Sequence, residues 1–257
     1  SSHQEAEITS LIILYLRESN HKMAITILGS FYKDVIDGKE NSITNFVEAT
    51  KLIGAFYTLW RSADSNAKLD NVYRAFFRGE DDSIKANNWE KKRHISLDEL
   101  RSFLQKKLDE KGIGNKESWL RKAKNYLSHN KSKSVSKFTL FVTAHDTIPD
   151  PDDLGLMKKG TPGTATYLTL RRWNSKDLKT IEHVAPQKPS SQDLRLWDTA
   201  LYGDDERFQS IGNLTLLPAK VNISASNKGW IEKHLYYQHL CQRDQQKLQE
   251  LANKAKN

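Results

Sequence analysis

The chain has 257 residues, and its 40 Lys or Arg against 32 Asp or Glu give a formal net charge of +8 with neutral histidines. Its six Trp, nine Tyr and nine Phe are too many for a disordered chain. The single cysteine, Cys241, excludes an internal disulfide framework and a multi-cysteine zinc ribbon, and it favours a reducing compartment. No apolar run is long enough to span a bilayer, so we expect a cytoplasmic protein without membrane contact.

The first half of the chain carries apolar residues at helical spacing, which predicts a helical domain over residues 4–145. Within it, Ser96 and Glu99 have the spacing of a capping box at a helix start. Residues 131–137 are the most linker-like piece of this half. Residues 138–144 form an apolar run that is compatible with either a helix or a strand.

The positive charge is concentrated in one stretch. Residues 85–137 contain 15 Lys or Arg and 6 Asp or Glu, a surplus that exceeds the net charge of the whole chain. A phosphate backbone is one natural partner for such a surplus, and a solvated helical face is the other interpretation.

The composition changes near residue 146. Residues 146–163 hold three prolines and three glycines, which is turn and linker chemistry. Two short apolar runs follow at 178–184 and 214–217, and from Trp230 onward the pattern predicts one long helix. We therefore expect a second domain over residues 146–257.

The residues that could bind a metal ion or act as a general base lie in and after these two short runs. Glu182 and His183 are adjacent in the first, Asn213 precedes the second, and Asn222 follows nine residues later. A carboxylate and an amide oxygen suit Mg²⁺, and a neutral imidazole can take a proton from water. Asn213 could bond a backbone group near His183. Neighbouring strand residues face opposite ways, so a local twist or bulge must bring Glu182 and His183 to one site.

These strings resemble a known family. The motif of the HNH or ββα-metal nucleases resembles three features of this chain: Ile-Glu-His-x-x-Pro-Gln, Gly-Asn-Leu-Thr-Leu-Leu, and the Asn that follows nine residues after the central Asn. The strings resemble above all the C-terminal nuclease domain of GmrSD-type modification-dependent restriction enzymes. SspE-like proteins carry a similar domain. The resemblance implies that His183 is the general base, that Asn213 orients it, and that Glu182 and Asn222 bind Mg²⁺ or Mn²⁺. It is specific over residues 178–235 and diffuse over residues 5–145.

Some members of the wider family clamp this hairpin with zinc-binding cysteines. Pro218 and Val221 stand at the corresponding places, so no structural zinc is expected. Asn222 replaces a frequent His, which suits Mg²⁺ more than Zn²⁺. Asn227 is an alternative helix ligand. Candidate phosphate contacts are Lys228, Lys233, Arg171 and Arg172. Lys228 is equally readable as a surface lysine, and the two arginines are equally readable as a cap on the core.

The resemblance implies a mainly α protein with a small β component, formed by an N-terminal helical bundle and a C-terminal ββα-metal module. It also implies a DNA endonuclease that acts on double-stranded DNA in bacterial defence, as the effector fragment of a larger protein. Its missing N-terminal half would be a ParB-like sensor that hydrolyses nucleotides. Three alternatives stay open: a non-catalytic nucleic-acid-binding module on a decayed fold, a helical protein-interaction domain, and an RNA substrate. The sequence leaves the oligomeric state undetermined.

Overall fold

The computed structural model describes residues 2–78, 94–152, 157–203, 206–242 and 244–254. Contacts divide the chain into two units. The helical unit comprises Ser1–Leu127 and Lys131–Leu170, and the hairpin unit comprises Ser128–Asn130 and Arg171–Asn257. Residues 146–170 therefore group with the helices. Whether domains of residues 4–145 and 146–257 fold separately stays a prediction.

The helical unit is built from amphipathic helices around one central helix. Its described elements are α1 (Ser2–Glu18), α2 (Lys22–Ile36), α3 (Ser42–Ala63), α4 (Leu69–Arg78), α5 (Leu97–Glu110), α6 (Lys116–Tyr126), α7 (Lys133–Ala144) and the antiparallel strands β1 (Thr147–Pro149) and β2 (Met157–Lys159). Helix α3 contacts α1, α2, α5, α6 and α7. The predicted mainly helical class with a small β component is confirmed. No described helix has both the length and the apolar character that crossing a membrane requires.

Local capping explains where two of these helices begin. The Ser96 hydroxyl accepts a hydrogen bond from the Glu99 amide at 3.2 Å, as the capping-box spacing predicts. Ser132 likewise accepts from the Val135 amide at 3.4 Å and starts α7. The predicted linker over residues 131–137 is therefore wrong from residue 133 onward, because the buried face of α7 already includes Val135. The ambiguous run 138–144 belongs to the same helix.

A buried histidine lies in the core of the helical unit. The His21 side chain is 3% exposed, its ring stacks on Tyr57 at 4.3 Å, and its Nε2 lies 2.9 Å from the Tyr73 hydroxyl. Burial lowers the pKa of His21 from 6.5 to about 4, and the charge of Arg61 acts in the same direction. The folded state thus holds this imidazole neutral at pH values where the unfolded chain protonates it.

This histidine predicts a loss of stability in acid. Between pH 6.5 and about 4 the unfolded state binds a proton at His21 that the folded state does not, so stability falls as pH falls. At about 1.4 kcal/mol per pH unit the loss reaches about 3 kcal/mol. Urea unfolding across this range should give a shallower acid slope for His21→Gln than for the unchanged protein. The exposed His239→Gln is the control, and an equally shallow slope there would contradict the assignment to His21.

The hairpin unit contains the second antiparallel strand pair and the helices that follow it. Its elements are α8 (Leu170–Trp173), β3 (Thr180–His183), β4 (Leu214–Leu217), α9 (Ala219–Ala225), α10 (Trp230–Cys241) and α11 (Gln245–Lys254). Short 3-10 helices occupy much of the connection between β3 and β4, including Thr199–Leu201, Arg207–Gln209 and Ile211–Asn213. The register sets Glu182 opposite Thr215 and His183 opposite Leu214. The order of strand, strand and helix is the one that the sequence predicts.

The C-terminal segment is two helices, not the predicted single long helix. Helix α10 ends at Cys241, and Gln242 has an extended backbone with φ −85° and ψ 136°. The Asp244 carboxylate then accepts hydrogen bonds from the amides of Gln246 and Lys247, which is the geometry of a helix N-cap. The apolar pattern continues through the break, so hydrophobic spacing alone does not reveal it.

Candidate active site

The hairpin unit brings four predicted site residues to the start and end of the β3–β4 hairpin. Glu182 and His183 are the last two residues of β3, Asn213 immediately precedes β4, and Asn222 lies in α9. Glu182 and His183 are 4% and 5% exposed. Their side chains contact different groups: Glu182 contacts α10, and His183 contacts the connection before β4. The β3–β4 register is continuous through both residues, so the bulge expected to bring them together is not present in this strand pair.

The imidazole of His183 is held through both ring nitrogens. Its Nε2–H donates to Gln209 Oε1 at 3.1 Å, and its Nδ1 accepts from the Gln187 amide at 3.0 Å. These amides assign the tautomer with the proton on Nε2. Burial lowers the pKa of His183 to about 4; the Gln209 hydrogen bond opposes this, and the charges of His129 and Lys233 add to it. At neutral pH the ring is therefore neutral and keeps a lone pair on Nδ1.

The side chain facing that lone pair belongs to an exposed residue. Gln187 lies at the surface, whereas Gln209 is buried. Rotation of the Gln187 side chain would leave Nδ1 open to a water molecule without disturbing the Nε2 hydrogen bond. The ring is also contacted edge-on by His129, with centroids 4.8 Å apart. This geometry suits a general base whose ring is fixed through Nε2 and whose Nδ1 faces the side chain of a surface residue.

The Asn213 side chain forms hydrogen bonds to the backbone that follows His183. Its Oδ1 accepts from the Ala185 amide at 2.7 Å, and its Nδ2 donates to the carbonyls of Ala185 and Phe208, each at 2.8 Å. The Asn213 carbonyl also accepts from the Val184 amide. Asn213 thus bonds backbone close to His183 without contacting its ring through any hydrogen bond that the structure describes.

Replacement of Asn213 by aspartate should destabilise the hairpin unit. The new carboxylate places an acceptor where Nδ2 now donates to one buried and one partly buried carbonyl, so we expect a loss of about 3 kcal/mol in unfolding free energy. Urea unfolding measures the loss. Asn174→Asp changes an exposed residue of the same unit and is the matched control. Equal stability of the two variants would show that the side-chain bonds of Asn213 contribute little.

Glu182 is engaged by a buried ammonium. Lys233 Nζ donates to Glu182 Oε1 and to the His183 carbonyl, both at 2.6 Å, and the Lys233 side chain is 0% exposed. The Tyr237 hydroxyl lies 3.5 Å from the same carboxylate oxygen. Burial raises the pKa of Glu182, and the hydrogen bond and charge of Lys233 oppose that rise. The pair connects α10 to the end of β3.

Asn222 is placed on the helix, as predicted, with its amide against β3. Its Nδ2 donates to Thr180 Oγ1 at 2.9 Å and to the Ile181 carbonyl at 3.0 Å. The alternative ligand, Asn227, is exposed and lies in the turn after α9 rather than in a helix. Of the two, Asn222 is the residue whose amide reaches the strand that carries Glu182.

The donor atoms that remain fit a hard divalent cation. Among the described residues, Lys233 and Tyr237 donate to Oε1 of Glu182, and the His183 amide also hydrogen-bonds to this carboxylate. Asn222 donates through Nδ2, and its Oδ1 accepts no described hydrogen bond. The Glu182 carboxylate and Asn222 Oδ1 are therefore the available pair of oxygen donors. Mg²⁺ commonly takes one or two protein oxygens and keeps several waters, so this pair suffices. Within the described ranges no group of three or more His, Cys, Asp or Glu could hold a metal ion.

The four side chains predicted to contact phosphates differ in how exposed they are. Arg171 and Arg172 are exposed in α8. Lys228 is partly exposed and pairs with Glu232 at 2.9 Å. Lys233 is buried on Glu182, so its ammonium does not reach a surface where a phosphate would bind. The arginines and Lys228 remain candidates.

Several residues that contact the site are not predicted from the sequence. His129, from the short segment that joins the hairpin unit, is contacted by His183, and Gln209 holds the ring. Tyr237 reaches Glu182 from α10. Gln187 is the last residue of the family motif, and only its place in that motif indicates a function for it. No local pattern marks the others, because each is brought in by tertiary structure.

Comparisons with known proteins identify the family. A comparison with curated protein sequences gave no match. The family model described as the C-terminal domain of GmrSD restriction endonucleases matches residues 69–256, well over half of the chain. The match contains the whole β3–β4 hairpin and α9 to α11, and it begins within the first half, where the sequence offers only helical character in common. The resemblance inferred from the motifs is confirmed, and the chain belongs to the family of GmrSD restriction endonuclease C-terminal domains.

Proposed function

We propose that the chain is an HNH-type, metal-dependent endonuclease that hydrolyses phosphodiesters of double-stranded DNA in bacterial defence. Membership of a restriction endonuclease family supports nuclease activity. The observation that carries the specific proposal is the buried, neutral imidazole of His183, whose Nδ1 lone pair is covered only by an exposed glutamine amide among its described hydrogen bonds.

In the proposed reaction a water molecule replaces the Gln187 amide at His183 Nδ1. The imidazole takes one proton from this water, and the resulting hydroxide attacks phosphorus. The bond from phosphorus to the 3′ oxygen breaks, and that oxygen takes a proton from solvent. Gln209 keeps the second proton on Nε2, so that Nδ1 is the nitrogen available as base. Asn213 keeps the backbone after the base in place.

The proposed cofactor is Mg²⁺ or Mn²⁺. When bound, such an ion supplies positive charge to a phosphate and its leaving oxygen. The Glu182 carboxylate and Asn222 Oδ1 would hold it. Arg171, Arg172 and Lys228 would contact phosphates of the strand, and the basic stretch 85–137 would add contacts that do not depend on sequence; its residues 85–93 lie outside the described residues. A ParB-like sensor that precedes this chain in a longer protein is the proposed partner, and the cytoplasm is the proposed compartment.

One observation favours a second candidate, a nucleic-acid-binding module without catalysis. The carboxylate proposed as a metal ligand already has a buried cation, Lys233, at 2.6 Å. If this ion pair takes the place of a metal, the unit would bind DNA and leave it intact.

Incubation with supercoiled plasmid in Mg²⁺, in Mn²⁺ and in EDTA separates the two candidates. The nuclease converts plasmid to open-circle or linear form with either metal and leaves it supercoiled in EDTA. A plasmid that stays supercoiled in every condition, while the protein still retards it on a gel, would support the binding module instead.

A further inference from the structure

The hairpin unit carries a partly exposed group of rings that the proposed chemistry does not use. We call it the aromatic cluster; its members are Trp197, Trp230, His234 and Tyr237. Trp230 is central: its ring stacks on His234 with centroids 5.1 Å apart and planes at 11°. Trp197 and Tyr237 meet it at 6.4 and 6.3 Å in edge-to-face arrangements.

Packing within the unit leaves much of this tryptophan uncovered. Trp230 is 43% exposed despite its three ring neighbours, and His234, which covers one face, is itself exposed. The indole Nε1 of Trp197 is buried, yet it has no hydrogen-bond acceptor among the residues that the structure describes. Buried indole N–H groups usually find a partner. An exposed aromatic face beside an unpaired indole N–H is therefore more typical of a binding surface than of a fully packed core.

The cluster adjoins the candidate active site. Trp230, His234 and Tyr237 are spaced by four and three residues along α10, so they share one side of that helix. The last of them, Tyr237, places its hydroxyl 3.5 Å from Glu182 Oε1. A polymer whose phosphate lies at Glu182 and His183 would thus have its neighbouring groups near the rings.

We propose that the aromatic cluster stacks an unpaired nucleobase next to the phosphodiester held at the candidate site. This inference rests on the proposed function, since it takes the substrate to be a nucleic acid. Bases stack on aromatic side chains whatever their sequence, and the exposed ring of Trp230 offers such a face. A base inside a duplex has no free face, so the preferred substrate has a single-stranded or flipped-out nucleotide at this point.

Charge favours a nucleic acid over other occupants with flat rings. Residues 171–257 of the hairpin unit contain 14 Lys or Arg and 10 Asp or Glu, a positive balance that attracts a polyanion. An apolar peptide would gain nothing from that balance. The aromatic face and the positive charge together match the two features that single strands present, which are bases and phosphates.

The test is binding of a single-stranded thymidine oligonucleotide in EDTA at fixed salt. Binding is measured by quenching of tryptophan fluorescence and by the anisotropy of a label on the oligonucleotide. An abasic oligonucleotide of equal length and charge isolates the contribution of the bases. The unchanged protein should bind the thymidine strand more tightly than the abasic strand, by about 5- to 150-fold for one stacked base. Trp230→Ala should lose this preference and bind both strands equally.

Ile231→Ala is the matched control, because Ile231 follows Trp230 in α10 and is 74% exposed but belongs to no ring contact of the cluster. It should keep the preference for bases. Equal binding of the two strands by the unchanged protein, which requires no variant, would overturn the proposal; so would a folded Trp230→Ala that keeps the preference. Plasmid cleavage is scored separately: base-dependent binding without cleavage refutes hydrolysis alone, and cleavage without base-dependent binding refutes the base site alone.

Discussion

Replacing His183 with glutamine is expected to lower the rate of plasmid cleavage by about 100- to 10 000-fold, the usual contribution of a general base. Glutamine can still donate toward Gln209 and accept from Gln187, the two contacts that His183 makes through its ring nitrogens. It has no nitrogen that takes a proton at neutral pH. The variant should therefore keep its fold while losing the step in which water is deprotonated.

The measurement is the initial rate of plasmid nicking in Mg²⁺, with the unfolding midpoint and DNA retardation recorded for each protein. His239→Gln makes the same chemical change at an exposed position of α10 and should cleave like the unchanged protein. A His183→Gln protein that folds and still cleaves at a rate close to the unchanged protein would contradict the assignment of the base.

Burial of this histidine serves the proposed role in a specific way. A pKa of about 4 keeps the ring neutral through the physiological range, so no proton must leave it before it can act. The same burial makes the imidazolium that forms during the reaction costly, unless a nearby negative charge compensates for it. Glu182 is paired with Lys233, and the charge of Lys233 lowers the pKa of His183 further, so this ion pair does not supply the compensation.

The secondary structure around the candidate site is predictable from the sequence, because it depends on local patterns. Two short apolar runs mark β3 and β4, and the residues before and after them place His183 and Asn213 at the hairpin. The family resemblance indicates Asn222, nine residues after Asn213, and the structure has it on α9, where its amide reaches the carbonyl of Ile181. Strand alternation also predicts that Glu182 and His183 face different neighbours.

The contacts that complete the site could not be predicted, because they join residues far apart in the chain. Lys233 reaches Glu182 from 51 residues away, and nothing near Lys233 distinguishes a buried ammonium from a surface lysine. The sequence interpretation makes it a phosphate contact for that reason. His129 is 54 positions before His183 and lies in a segment that hydrophobic spacing leaves featureless. Similarly, the break between α10 and α11 depends on a cap by Asp244, which the continuing apolar pattern conceals.

Removing the buried ammonium with Lys233→Met should destabilise the hairpin unit by about 3–5 kcal/mol, because it leaves the Glu182 carboxylate buried without its cation. The double change Glu182→Gln with Lys233→Met should recover much of this loss, since neither side chain is then charged. Urea unfolding of the unchanged protein, both single variants and the double variant gives the coupling free energy of the pair.

An exposed ion pair of the same unit is the matched control. Lys228 and Glu232 form an ion pair at 2.9 Å with side chains 37% and 57% exposed, against 0% and 5% for Lys233 and Glu182. Exposed pairs contribute about 0–1 kcal/mol, so Lys228→Met should change stability little. If Lys228→Met and Lys233→Met cost the same, burial of the second pair does not govern its energetics. If instead Lys233→Met folds as stably as the unchanged protein, the carboxylate of Glu182 does not need this cation, and a metal ion could replace the ammonium at low cost.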